Sequence, residues 1–137
     1  YQCDWSSDVC SSDLAMEADR GWLASAARLR SRLDSAIQEH GGEIVAGGAQ
    51  RISTIASYRL PGVSSQAQLI RFDMAGIAVS AGSACSSGTL KASPVLTAMG
   101  WGEQAAGEVV RVSFGPATDD AAIDAFLKVW LQLAGRG

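Results

Sequence analysis

Trp22, Leu23, Ala26, Leu29, Leu33, Ala36 and Ile37 recur at three- and four-residue steps, while Arg28, Arg30, Arg32, Asp34, Gln38 and Glu39 cover the remaining face. This spacing predicts an amphipathic helix over Met16–His40. Gly41-Gly42 closes it, as a left-handed C-cap would. A helix with one apolar stripe must bury that stripe against another layer, so the rest of the chain has to supply one. Ile44–Ala46 and Ile52–Tyr58 read as short strands, the second stopped by a Pro61-Gly62 turn, and Ile77–Val79 reads as a third. Val109–Phe114 is the strongest strand, with Val110, Val112 and Phe114 on one face and Val109, Arg111 and Ser113 on the other. Ser64 or Ser65 can N-cap a helix to about Met74, with Leu69 and Ile70 inward. Ser93 caps a short helix with Pro94 at its first position, ending near Gly100. Thr118 caps the last helix, Asp119 and Asp120 suit its positive end, and Ile123, Phe126, Leu127, Trp130 and Leu131 form its stripe up to Gly135. The expected fold class is α/β, a small sheet with helices packed mainly on one face.

Composition narrows the function classes. Of 137 residues, 47% are apolar and 18% charged, enough for one packed core. The net charge is −3 and no basic run occurs, so the electrostatic footprint of a nucleic-acid binder is absent. No apolar stretch is long enough for a membrane helix, and no signal-peptide pattern opens the chain. Three cysteines argue against a closed disulfide framework and favour a reducing, cytoplasmic compartment. Residues 1–14, YQCDWSSDVCSSDL, stand apart: they hold Cys3 and Cys10 and none of the fifteen glycines. The string resembles the translated read-through of a sequencing adapter; a genuine disordered leader is the alternative. It is set aside from the fold, which is expected in residues 15–137. Without Asp4, Asp8 and Asp13 the remainder has eleven acidic and eleven basic residues and a single cysteine, Cys85.

Two features could carry chemistry. Ser80-Ala81-Gly82-Ser83-Ala84-Cys85-Ser86-Ser87-Gly88 contains no bulky side chain and reads as a loop. A nucleophilic thiol needs access and freedom from apolar burial, and small residues give both while letting the backbone move. A flexible connector with an incidental cysteine is the bland alternative. No Gly-Lys-Ser/Thr follows Gly82, so the loop is not a P-loop. Arg111 sits mid-strand between valines, where a charge needs a partner, and its guanidinium suits bidentate capture of a carboxylate. A structural ion pair or a water-facing sheet position would also account for it. His40 reads as a helix-end cation, Lys91 and Lys128 as solvated, and Trp101 between two glycines is hard to place. No zinc-type cluster or Ser/His/Asp spacing is present.

The 76–88 stretch resembles the active-cysteine loop of the NifS/IscS-like cysteine desulfurases, usually Ser-Ser-Gly-Ser-Ala-Cys-Thr/Ser-Ser. Ser93–Gly100 resembles that family's Ser-x-Val-Leu-x-Ala-Met-Gly, Arg111–Gly115 its Arg-Phe-Ser-Leu-Gly, and Thr118–Asp124 the acidic start of its last helix. The resemblance covers residues 15–137 and is most specific over 76–124. It implies the C-terminal small domain of a fold-type I, class V aminotransferase fold that uses pyridoxal phosphate (PLP). It implies conversion of L-cysteine to L-alanine, with Cys85 as the nucleophile that becomes a persulfide. Ser80, Gly82, Ser83, Ala84, Ser86, Ser87 and Gly88 would form its loop, and Arg111 would grip the substrate carboxylate. The sulfur would pass to an acceptor, often an iron–sulfur scaffold protein, from a homodimeric full-length enzyme. No resident metal is implied; Cys85 could at most ligate an iron–sulfur cluster transiently. The family's cofactor domain, with its stacking histidine and Schiff-base lysine, has no counterpart in the sequence, so the chain is expected to be inactive alone. Ala81, Ala92, Pro94 and the lack of an asparagine in Ile52–Tyr58 depart from the pattern. A selenocysteine lyase or aminotransferase small domain, or a free-standing persulfide-relay module beginning near Met16, are the alternatives.

Overall fold

A computed structural model describes residues 21–81 and 93–135. In chain order the elements are α1 (Gly21–Glu39), β1 (Glu43–Ile44), β2 (Ile55–Arg59), α2 (Ser65–Met74), β3 (Ser80–Ala81), α3 (Pro94–Ala98), α4 (Glu103–Ala106), β4 (Val109–Ser113) and α5 (Asp120–Leu133). The four strands form an antiparallel sheet in the order β1-β2-β4-β3.

The main core lies between one sheet face and the three longer helices. Ala26, Leu29, Leu33 and Ile37 of α1, Phe72 of α2, and Ile123, Phe126, Val129 and Trp130 of α5 meet Ala56, Tyr58, Ala81, Val110 and Phe114. Phe126 stacks on both Phe72 and Trp130, and Trp130 meets Tyr58 edge-on. Gly41 takes φ of +77° to end α1. At Gly42 an added Cβ would stand 2.6 Å from Ile37 Cγ2 and 2.8 Å from Trp130 Cζ2, so the chain passes too close to the core there for a side chain. A second, smaller cluster of Val45, Leu96, Ala106 and Val109 covers part of the opposite sheet face, and Trp101 packs against it. The expected α/β sandwich with helices mainly on one face is therefore present, with α3 and α4 as the minor layer; α4 was not foreseen.

Several local expectations shift for identifiable reasons. Ile77–Val79 is not a strand. The Ile77 amide donates to the Phe72 carbonyl at 2.9 Å and the Gly76 amide to Asp73 at 2.9 Å, which closes α2 in a Schellman motif around Gly76 at φ +74°. With that amide engaged, pairing to β4 begins at Ser80, so Ser80 and Ala81 belong to the sheet rather than to a loop. Ile70 is 55% exposed, while Gln68 and Phe72 take the inward face of α2; the Gln68 amide donates to the Val63 and Glu108 carbonyls. The α5 cap is Asp119, whose carboxylate accepts from the Ala122 amide at 2.8 Å. Thr118 instead accepts from the Gly115 amide. Val129 joins the buried stripe of α5, and Leu131 is half-buried.

Arg28 and Arg32 lie outside on α1, as expected, and bind Asp120 and Asp124 at the start of α5. Arg30 and Asp34 do not. The 45–54 segment folds over that part of α1, and Arg51 reaches back to Asp34 at 2.7 Å. Tyr58 donates to the other Asp34 oxygen at 2.8 Å, and Arg30 donates to the Arg51 and Ile52 carbonyls. Burial first, then Asp34, raises the Tyr58 phenol above its ordinary range, so it stays protonated as a donor.

Glu108 is nearly buried and is bound by Arg59 Nε at 2.8 Å. Burial pushes its carboxyl up, but Arg59, the Gly62 amide and Gln104 together leave it below the usual carboxylate range. A depressed folded pKa means the unfolded chain binds the extra proton more readily. Stability from this group is present above the unfolded glutamate value, about 4.3, and drains as pH falls through the lower folded value. In urea titrations the midpoint should drop between roughly pH 5 and pH 3, and Glu108→Gln should flatten that part of the profile. An unchanged slope in the variant would mean that other carboxylates carry the acid sensitivity.

Candidate functional site

The side of the sheet away from the main core carries the site. On β4 the side chains alternate, so Val110 enters the core and Arg111 points the other way. Arg111 lies directly opposite Ser57 on β2 and directly opposite Ser80 on β3. Facing residues of antiparallel neighbours share a face with Cβ atoms about 4.5–5.5 Å apart. One transverse row therefore reads Ser57, Arg111, Ser80.

This row forms the floor of a cleft of about 240 Å³. Val45 and Val109 flank it, and Ser93, Val95, Leu96 and Met99 at α3 form the wall. The neighbouring row on the same face is already neutralised: Arg59 binds Glu43 at 2.9 Å and Glu108 at 2.8 Å. Among the described residues no carboxylate engages Arg111, and its guanidinium is exposed to the cleft. The structural ion pair considered for Arg111 is therefore not formed by any described residue. Ser93 precedes α3 in the cap position, yet its hydroxyl makes no cap hydrogen bond; its carbonyl accepts from Thr97 instead. The cleft rim is apolar and open, with Val95 at 65% and Met99 at 46% exposure.

Of the anticipated site residues, the structure brings Arg111 and Ser80 together. Cys85, with Gly82, Ser83, Ala84, Ser86, Ser87 and Gly88, lies outside the described residues, as does Lys91. The described chain leaves at Ala81 and re-enters at Ser93, and both line this same cleft. Ser57 was not singled out in advance. Its signal was available: a small polar residue at an outward position of Ile55–Arg59, between Ala56 and Tyr58 of the core face. His40 does cap α1, with Nδ1–H donating to the Ala36 carbonyl at 2.7 Å.

Lys128 is the sole lysine among the described residues; it is exposed on α5 and does not line the cleft. A PLP aldehyde needs a lysine amine, so the described residues fit a carboxylate and do not by themselves fit that cofactor. No group of three or more metal-ligating side chains occurs among the described residues, and no described helix is long and apolar enough to cross a membrane.

The fold is a small antiparallel sheet with its main helical layer on one face and, on the other, a cleft floored by Arg111. The sequence matches the aminotransferase class-V family over residues 13–126, and the chain belongs to that family. It is 38% identical over 103 residues to a cysteine desulfurase of Gluconacetobacter diazotrophicus, covering 74% of this chain and 26% of that protein. It is 35% identical over 108 residues to a cysteine desulfurase of Rhodobacter capsulatus, covering 78% of this chain and 28% of that one. The crystal structure of a NifS-like protein from Rickettsia africae superposes with a TM-score of 0.72 at 26% identity, over 82% of this chain and 29% of that chain. The chain thus spans about a quarter of the curated relatives' length. These matches agree with the resemblance to cysteine desulfurases, and the relatives belong to a generally PLP-dependent enzyme family.

Proposed function

We propose that this domain is the substrate-gripping and sulfur-accepting part of a cysteine desulfurase. The observation that carries the reading is Arg111: a guanidinium on the floor of a cleft with no carboxylate partner among the described residues, within the match to the aminotransferase class-V family. Arg111 takes the carboxylate of L-cysteine in a bidentate pair. Cys85 follows Ala81 by four peptide links, so its Cα stays within roughly 14 Å of the Ala81 Cα at the cleft. Its thiolate attacks the substrate sulfur; the carbon–sulfur bond breaks, the electron pair stays with carbon, and protonation there completes alanine. Cys85 is left as a persulfide, and a second thiol on an acceptor protein takes the outer sulfur. The relatives' chemistry calls on PLP, and in this proposal the cofactor is held by a part of the enzyme beyond this span. The acceptor is an iron–sulfur scaffold or another sulfur carrier, the compartment is the cytoplasm, and the working form is a homodimer.

The test begins with genomic DNA read across the Leu14–Ala15 junction, followed by expression of the whole reading frame. With L-cysteine, PLP and an added dithiol reductant, which reduces the Cys85 persulfide and is itself oxidised to a disulfide, the whole protein should release alanine and sulfide. Cys85→Ala should lower turnover at least about 100-fold, in keeping with loss of a nucleophile. The 137-residue chain alone should release none; robust alanine release by it would overturn the proposed division of labour. If the frame opens near Met16 and the chain accepts sulfane sulfur on Cys85 from a partner, a relay module is the better description.

A further inference from the structure

We propose that Ser57 and Ser80 complete the carboxylate subsite of Arg111, so that the cleft recognises an amino-acid carboxylate with three side chains rather than one. This rests on the proposed grip of Arg111 on a substrate carboxylate. The two serines are the residues directly opposite Arg111 on its two neighbouring strands, and all three line the same cleft. Among the described residues, neither serine hydroxyl nor the guanidinium has a side-chain hydrogen-bond partner, whereas the next row is consumed by Arg59, Glu43 and Glu108.

The donor arithmetic fits one ligand. A carboxylate offers about four lone-pair directions, and a guanidinium fork uses one on each oxygen. One further acceptor site remains on each oxygen. Hydroxyls standing on either side of the fork are placed to donate to those two sites, Ser57 to one oxygen and Ser80 to the other. A carboxamide would present an NH₂ in place of one oxygen, and that group meets the donating guanidinium unfavourably. The row therefore selects carboxylate over carboxamide, and β3 couples this selection to the root of the Cys85 stretch because Ser80 sits immediately before Ala81.

The experiment is an NMR titration of the ¹⁵N-labelled 137-residue chain with L-alanine, and with L-alaninamide as the carboxylate-free control. Alanine should shift the amide signals of Ser57, Ser80 and Arg111 saturably, and alaninamide should not. Ser57→Ala and Ser80→Ala should each weaken alanine binding about tenfold, the low end for a hydrogen bond to a charged group. Ser57→Thr and Ser80→Thr keep the hydroxyl and should bind within about twofold of the parent chain. Ser113→Ala lies on the same face of β4 outside the cleft and should change nothing. Where an alanine variant loses spectral dispersion, the Thr/Val pair at that position carries the comparison, since the two are isosteric and both suit a strand. If Arg111→Ala abolishes binding while the serine variants match the parent, the serine subsite is wrong and the arginine grip stands. If the parent chain shows no carboxylate-dependent shift, or Arg111→Ala leaves it intact, both readings fall.

Discussion

Asp34→Ala should be among the most destabilising single substitutions in this domain, at about 3–5 kcal/mol, because it strands charges rather than merely removing a contact. Asp34 is expected from sequence to face water, yet its side chain is 14% exposed and receives Arg51 at 2.7 Å and Tyr58 at 2.8 Å. Arg30 Nε approaches the same carboxylate at 3.9 Å. Removing it leaves two guanidinium groups and a phenol with no counter-charge in a half-buried pocket. In thermal melts the midpoint should fall by roughly 10–20 °C for a domain of this size. Asp34→Asn keeps an acceptor for Tyr58 and should fall between the parent and Asp34→Ala. A loss under about 1 kcal/mol would place the cluster in the class of solvated surface pairs.

Trp130→Ala should cost about 3–5 kcal/mol, the range for emptying an aromatic site in a packed core. Trp130 is fully buried and touches both sides of the fold: Phe126 at a centroid distance of 5.9 Å, Tyr58 at 6.3 Å, and the close passage at Gly42. With total stability of small domains near 5–15 kcal/mol, the alanine variant should lose a third or more of its stability in all but the most stable case. Trp130→Phe separates volume from polarity. The indole Nε1 is buried with no hydrogen-bond partner among the described residues. Phenylalanine therefore orphans nothing and removes one unsatisfied donor, so it should cost less than half as much as alanine. Urea denaturation of the three proteins checks the ordering; equal losses for Phe and Ala would overturn it.

The elements with a long apolar period were legible in advance. The stripes of α1 and α5 and the alternation of β4 gave the layer arrangement, because burial of a continuous apolar face leaves few choices. What stayed hidden depends on contacts distant in sequence. Arg30 and Asp34 look like any exposed i,i+4 pair until residues 45–54 fold across them. The start of β3 could not be separated from Ile77–Val79 by composition, since the Schellman closure at Gly76 decides which amides remain free. Carboxylate capture is one of several readings of Arg111 in the sequence; the register that leaves it without a carboxylate among the described residues, while Arg59 takes Glu43 and Glu108, is a property of strand pairing. Ser57 became visible for the same reason.

The alternation along β4 gives the domain a parity. Val110 and Phe114 close the core, and Arg111 between them opens to the cleft. Sliding this strand by one position would send a guanidinium into the hydrophobic layer and leave a valine facing the cleft. Folding and the grip proposed for Arg111 are thus checked by the same even–odd rule. Length changes within Val109–Phe114 should be tolerated, if at all, only in steps of two, and a lineage that lost the arginine could not recover it by drift of register.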